Sequence, residues 1–392
     1  MAEKLNIRKS LKDNTMVLIL VGVMLLFEVL IQSFGKGSLF SPANITNIIR
    51  QNSYVVILAT GMLLCILTGG NIDLSVGSVV ALVGALAGVL IVKMSMPVAP
   101  AIFLCIVCGI LIGAFHGFFI AYLHIPPFIT TLAGMLLWRG VATIILDGKP
   151  IAPFPPAYNN LFESYLFRSA DGFSVVTMII AVICCVVFII AEVLGRARKA
   201  KKGYQVSPTV AFIAKIVILC AVILIVGQFL ARDRGLPVIL ILLAVIVAAY
   251  GYFTQNTVPG RYLYAIGGNA KAAKLSGVNT DNVMFFAYTN MGFISAVAAL
   301  VTIARLNSAQ PTAGQNYEMD AIGSCFIGGA SAYGGIGKVT GAVIGALFMG
   351  VLNNGMSILG VDANWQRAVK GLVLLAAVIF DIVSKNKKSK KN

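Results

Sequence analysis

The stretch GRYLYAIGGNAKAAKLSGVNTDN, residues 260–282, is one of the few long polar interruptions in a chain that otherwise reads as apolar runs. It is also the one shaped to form a small helix of its own. Gly267 and Gly268 are expected to break whatever precedes them. Asn269 can cap the next turn by accepting backbone N–H bonds. Ala270, Ala272, Ala273 and Leu275 favour helix, and Lys271 and Lys274 lie three apart on one side. Gly277 is suited to end the helix in the left-handed conformation. The expected helix, 269–276, has about two turns, too few to stand alone in water. It needs a groove to lie in. A short helix with an alanine face and a lysine face, pinned between two membrane spans, is what a transporter would present to a soluble engine.

The flanking runs set the class. Of 392 residues, 59% are hydrophobic and 11% charged, against about 25% charged in soluble domains. Mean hydropathy is +0.92. The length predicts an all-α, polytopic membrane protein with about ten to twelve transmembrane or re-entrant helices in one integrated domain, 15–384. A basic N-terminus, 1–14, and a basic tail, 385–392, flank it. The net charge of +16 is clustered: Lys4, Arg8, Lys9 and Lys12; then Arg196, Arg198, Lys199, Lys201 and Lys202; then Lys385, Lys387, Lys388, Lys390 and Lys391. Clusters beside apolar runs follow the positive-inside pattern, not nucleic-acid binding, and put both termini in the cytoplasm. The first run, 15–34, is long enough to span and lacks a small-residue cleavage site, so no cleavable signal is expected. All seven cysteines fall within apolar runs. Cys105 and Cys108 form a lone CxxC with no nearby histidine, which reads as membrane packing.

Taken in order, spans are expected at 15–34, 53–68, 75–93, 98–122, 129–146, 174–194, 209–230, 236–253 and 283–304. A short run at 321–332, too short to cross upright, follows, and then spans at 339–358 and 366–383. Glu28 reads as a packing or interfacial group. Residues 40–52 read as a short outer helix, with Pro42 in its first turn and Arg50 near its end. In GGNIDLSVGS, 69–78, Asp73 and Ser75 can each cap the next span. The turn is either a tight cap or a border of the transport path. Gly109, Gly113 and Gly117 recur every four residues and predict close helix contact. His116 interrupts them and reads as a packing residue before a ligand. Arg139 lies inside a span and must pair or snorkel. The proline-rich outer segment, 147–173, is expected to form a lid or docking surface. The basic loop, 195–208, and the loop 260–282 fall on the cytoplasmic side. The segments LTGGNIDLSVGSVVALVGAL and FIGGASAYGGIGKVTGAVIGAL echo one another, by repeat or by shared glycine usage.

GGIGKVT resembles a phosphate loop but fails the pattern twice. Ala332 stands where the first glycine belongs, and Val339 follows the lysine. There is no HExxH or GxSxG, and the chain has only two histidines. Transport is the default for many spans with buried polar groups. An ion-driven carrier needs carboxylates within its spans, whereas Asp73, Glu318, Asp320 and Asp381 sit mostly at span ends. A channel leaves the helix at 269–276 without a purpose, and a membrane scaffold would move nothing.

Three motifs in order, GGNIDLSVGS, YAIGGNAKAAKLSGV and EMDAIGSCFIGGASAYGGIGKVTGAVIGAL, resemble the membrane permeases of bacterial ATP-binding-cassette importers for monosaccharides, the ribose, galactose and xylose group. The likeness runs from about residue 44 to 379. The extra hairpin around 174–253 resembles the xylose or multiple-monosaccharide branch. The resemblance implies a type II-like importer permease fold in the bacterial cytoplasmic membrane. It implies a homodimer with the sugar path at the subunit interface. An ATPase with two nucleotide-binding domains docks inside, and a periplasmic or lipid-anchored sugar-binding protein docks outside. ATP and Mg belong to the partner subunit, so no cofactor or catalytic residue is expected here. Gly268, Asn269, Ala272, Ala273, Ser276 and Gly277 are implied to couple to the ATPase groove. Asp73, Glu318 and Asp320 match strongly patterned positions. Asn71 and Lys338 depart from the pattern. Candidate path or gate residues are Asp73, Ser75, Phe128, Asn290, Glu318, Asp320, Asn353 and Asn354. Arg232, Arg234 and Arg305 are candidates for binding-protein docking. An ion-coupled secondary sugar transporter is the alternative.

Overall fold

The computed structural model describes residues 15–167, 172–204 and 208–389. The predicted basic N-terminus and the tail lysines Lys390 and Lys391 lie outside the described residues. Helices α1 (Thr15–Ser33), α2 (Pro42–Gln51), α3 (Ser53–Leu67), α4 (Val76–Ala87), α5 (Val98–Ala121) and α6 (Pro127–Leu146) form the first half. A short α7 (Pro156–Glu163) and a two-residue strand β1 (Tyr165–Leu166) follow. Next come α8 (Val175–Lys201), α9 (Thr209–Asp233), β2 (Leu236–Pro237) and α10 (Val238–Asn256). The second half is α11 (Val258–Leu275), α12 (Thr280–Leu306), α13 (Tyr317–Ile327), α14 (Val339–Ile358) and α15 (Ala363–Ser389). Among the described residues ten helices are long and apolar enough to cross a membrane, with α2 and α3 counted as one.

That count corrects the span list in one place. Only Asn52 separates α2 from α3, so the expected outer helix runs straight into its span. The run at 366–383 lies within the longer α15, which carries Arg367, Lys370 and Asp381 and is less apolar than the ten. Asp381 Oδ2 accepts from Ala332 N at 3.3 Å, so the helix reaches the turn at 332–335. As expected, α13 is too short to cross; its 11 residues reach about 16 Å.

Position follows composition. Helix α3 is apolar on all sides, and every one of its residues is buried, as a central helix requires. Helix α12 crosses beside it and buries most of its second half. The glycines of α5 do what their spacing predicts. Side chains built at Gly109, Gly113 and Gly117 would strike Gly292 and Ala296, Tyr288 and Thr289, and Phe285 of α12. The missing side chains let the two backbones touch. Helices α1, α8 and α9 are mostly exposed apolar surface, which is what lipid-facing helices present.

Of the outer segment, residues 147–163 form a strap fastened to the end of α12. Ile151 bridges Ala309 through both backbone bonds. Asn307 Oδ1 accepts from Phe154 N (2.9 Å) and Asn159 Nδ2 (2.7 Å). Tyr158 is fully buried and donates to the Leu300 carbonyl at 2.7 Å. Burial pushes its hydroxyl well above the ordinary phenol range, so it stays a donor. Glu28 is a packing group: it accepts from Ser38 Oγ (2.8 Å) and Leu39 N (2.7 Å) and so fixes the turn after α1.

Candidate coupling and translocation site

The short helix exists, with one correction. Gly267 and Gly268 do not break the chain. Helix α11 starts at Val258, capped by Thr257 with Pro259 in its first turn, and runs through both glycines. The break is Asn269 itself, whose backbone is extended at φ −162 and ψ 102. Its side chain then accepts from Ala272 N at 3.0 Å, the expected cap. Gly277 has φ +86. Val278 N bonds to Ala273 O and Gly277 N to Lys274 O, which closes the end. Ala273 is buried against Ile266, Val278 and Val283. Gly268, Asn269, Ala272, Ser276 and Gly277 face outward. So does Leu275, 90% exposed, an apolar side chain with no neighbour to cover it.

Gly267 stays helical because it touches backbone on its far side. A methyl group there would collide with Leu67 O and Gly335 N. Those two atoms already share a hydrogen bond of 3.0 Å. Gly70 abuts Ala332 O, and Gly334 abuts Gly69. The turn at Gly69–Gly70 and the turn at 332–335 of the second echoing segment therefore lie against each other, with the first half of α11 resting on both. Tyr264 donates to Gly337 O at 3.0 Å and ties α11 to the second turn. A cavity of about 520 Å³ opens beside this joint, lined by residues that include Tyr264, Gly335, Ile336, Lys338 and Thr340.

Buried polar chains lie above the joint. Asp73 Oδ1 accepts from Ser75 N (2.8 Å) and Ser75 Oγ (2.6 Å). Ser75 makes no capping bond of its own, so Asp73 alone organises that turn. His116 Nδ1 lies 3.3 Å from Ser75 Oγ, and Trp138 Nε1 donates to His116 Nε2 at 2.9 Å. With Nε2 accepting, a neutral ring carries its proton on Nδ1 and donates towards Ser75. His116 is thus a satisfied packing residue, joining α5, α6 and the turn before α4. Arg139 donates to the carbonyls of Pro311 (2.8 Å) and Ala313 (2.6 Å), which meets the demand that it pair. Glu318 is buried beside Gly77. Asp320 accepts from Tyr54 OH at 2.6 Å and pairs with Lys370 Nζ at 2.9 Å.

The other candidates sit apart within one chain. Asn354 exchanges two amide bonds of 3.0 Å with Asn44, locking α14 to α2. Asn353 is buried next to it. Asn290 accepts from Tyr250 OH at 2.5 Å. Phe128, the second residue of α6, is 55% exposed. Among the docking candidates, Arg232 and Arg234 are exposed, while Arg305 donates to Gln51 O at 3.2 Å. Sequence reasoning missed Leu275, Gly267, Lys370, Tyr54 and Trp138. Only Lys370 carried a visible signal, as a lysine within a largely apolar run.

Comparison with known proteins decides the class. A family model described as the branched-chain amino acid transport system / permease component matches residues 44–200 and 164–378. The chain belongs to this permease family. It is 37% identical over 382 residues to the xylose transport system permease protein of Escherichia coli (strain K12), covering 97% of this chain and 94% of that one. It is 37% identical over 372 residues to the xylose transport system permease protein of Haemophilus influenzae, covering 94% and 97%. The ribose import permease protein of Haemophilus influenzae is 34% identical over 359 residues, covering 92% and 91%. No solved structure matches significantly. The permease is a transport protein and not an enzyme, as expected, and nothing in these likenesses favours the ion-coupled carrier.

Proposed function

We propose that this permease imports a monosaccharide, pentose or hexose, as a homodimer in the bacterial cytoplasmic membrane with both termini in the cytoplasm. An ATP-binding-cassette ATPase with two nucleotide-binding domains docks on residues 268–277. A periplasmic or lipid-anchored sugar-binding protein delivers the cargo at the opposite end. The exposed helix after Asn269, seated through α11 on the two glycine turns, carries the reading. A push on that helix is delivered directly to the turns that precede α4 and α14. Only contacts that differ between inward and outward states can shift the balance between them. The candidates Phe128, Asn290 and the adjacent Asn353 and Asn354 have no partner in common within one chain, which supports a path completed by the second copy. The relatives named for xylose and ribose support a monosaccharide cargo.

Reconstitution with the ATPase and the binding protein, with pentoses and hexoses supplied in turn, tests the whole reading. Uptake that survives without any ATPase would overturn it. Ala272→Asp and Leu275→Asp test the contact. Covering a leucine is worth about 1.5–3 kcal/mol, so L275D is expected to weaken ATPase docking about tenfold or more. A272D is expected to abolish docking and uptake while membrane expression is kept. Wild-type docking by both variants would remove this helix from the interface. A273D fails differently, because it buries a carboxylate against Ile266 and Val278 and unseats the helix.

At the other end, Arg234 lines a polar cavity of about 410 Å³ together with Arg50, Tyr165 and Asp233. Charge reversal at Arg232 or Arg234 is expected to weaken binding-protein docking most at low salt. Reversal at Arg305 is expected to cost stability first, because its guanidinium holds the end of α2. Docking that is equally weakened at all salt concentrations would argue against a charge contact.

A further inference from the structure

We propose that the inner end of the α8–α9 hairpin is a binding surface for the headgroups of anionic phospholipids. Helix α8 has 27 residues, about 40 Å of helix, against about 30 Å of hydrocarbon in a bilayer. Its outer end is held: Ser174 N bonds to Ala231 O at 2.8 Å. The overhang therefore falls at the other end, in about the last seven residues. That is where Arg196, Arg198, Lys199 and Lys201 lie, with Lys202 following.

Two further observations single this end out. The hairpin is buried only near its outer end. The buried residues of α8 are Thr177, Ala181 and Cys185, and those of α9 are Gly227, Leu230 and Ala231. Its inner half leaves the protein body and presents exposed Val and Ile side chains, as lipid contact requires. Above that apolar sleeve the charge is of one sign. No acid lies between Glu192 and Asp233, and Glu192 is already paired with Lys215 at 2.6 Å. Arg196 braces the two helices by donating to Thr209 Oγ1 (3.1 Å) and lying over the Phe212 ring (4.5 Å). Arg198, Lys199, Lys201 and Lys202 remain exposed. Orientation alone does not call for this concentration. The turns 69–75 and 122–127, at the same end of the bundle by chain connectivity, contain no lysine or arginine. A basic rim on a lipid-facing arm is complementary to a negatively charged leaflet.

The inference takes from the permease reading only which leaflet is met, and its test needs neither sugar nor ATP. Full-length permease is reconstituted in nanodiscs of phosphatidylcholine mixed with phosphatidylglycerol. The lipids retained through gentle extraction are then counted by native mass spectrometry. Wild type is expected to retain phosphatidylglycerol selectively. The variant R198Q/K199Q/K201Q/K202Q is expected to lose roughly fivefold selectivity per residue removed, reaching at least about a hundredfold in all. A control, K93Q/K149Q, removes lysines from the opposite end and is expected to retain wild-type selectivity. Equal selectivity in wild type and the fourfold variant overturns the proposal. So does a fourfold variant that keeps its lipids but no longer co-purifies with the ATPase in lipid-free detergent, since that outcome assigns the rim to a protein partner.

Discussion

Gly267→Ala is expected to destabilise the permease and to cut ATP-driven uptake at least about tenfold, while Gly268→Ala leaves stability near wild type. The two glycines are adjacent, and both are helical. Nothing lies within 4 Å of a side chain built at Gly268, whereas one built at Gly267 meets Leu67 O, Gly335 N and Gly335 Cα. These are backbone atoms, which cannot swing away as a side-chain tip can. Overpacking of this kind costs about 1–3 kcal/mol. Forcing Gly335 N from Leu67 O leaves the carbonyl of the buried Leu67 without its bond, at about 1–3 kcal/mol more. The combined loss lands at the joint between the first half of α11 and both glycine turns. Thermal unfolding in detergent reads the first effect, and uptake per ATP hydrolysed reads the second. A G267A permease that unfolds and transports like wild type would show that α11 does not act through these turns.

That contrast marks where the sequence runs out. Asn269 as a cap and Gly277 as a terminator were legible because both depend on local backbone chemistry. The glycine stripe on α5 was legible because its spacing demands a partner, though not which partner. The bounds of α14, Val339–Ile358, follow from an apolar run that opens after a glycine turn. The distinction between Gly267 and Gly268 was not legible, because it depends on Leu67 and Gly335, far away in the chain. The same limit hid Leu275. Whether a leucine on a short helix faces its own protein or solvent is set by the rotation of the chain at Asn269, which the pattern AKAAKL does not reveal. Arg139 is an intermediate case. Its need for partners follows from lying in a span, but carbonyls from the loop after α12 supply them. The echoing segments are informative in the same sense. Their likeness was visible, but the fold lays Gly69–Gly70 of the first against 332–335 of the second and not against the matching pair Gly328–Gly329.

Lys370→Met is expected to cost about 3–5 kcal/mol, the usual loss when one partner of a buried ion pair is removed. Asp320 is almost completely buried, 1% exposed, and lies on α13, whose residues 320–327 are all buried. Without Lys370 its charge keeps only the Tyr54 hydroxyl, at 2.6 Å. Asp320→Asn is expected to cost less. The lysine it strands is 16% exposed and flexible, and can extend its ammonium towards a wetter region. The double variant D320N/K370M removes both charges and is expected to be closer to wild type than K370M alone. Tyr54→Phe deletes one hydrogen bond to a charged group and is expected to cost about 1.5–3 kcal/mol. Because the pair is buried, salt is expected to leave all these differences unchanged. Thermal unfolding of the four variants in detergent, at low and high salt, reads the cycle. If K370M and D320N cost the same and simply add, the two groups are not coupled. Helix α15 would then be held to α13 by apolar contact alone. If K370M is the worst of the set, the ion pair adds to the apolar packing that holds α15 on the bundle. A displacement of α13 during transport would then carry α15 with it.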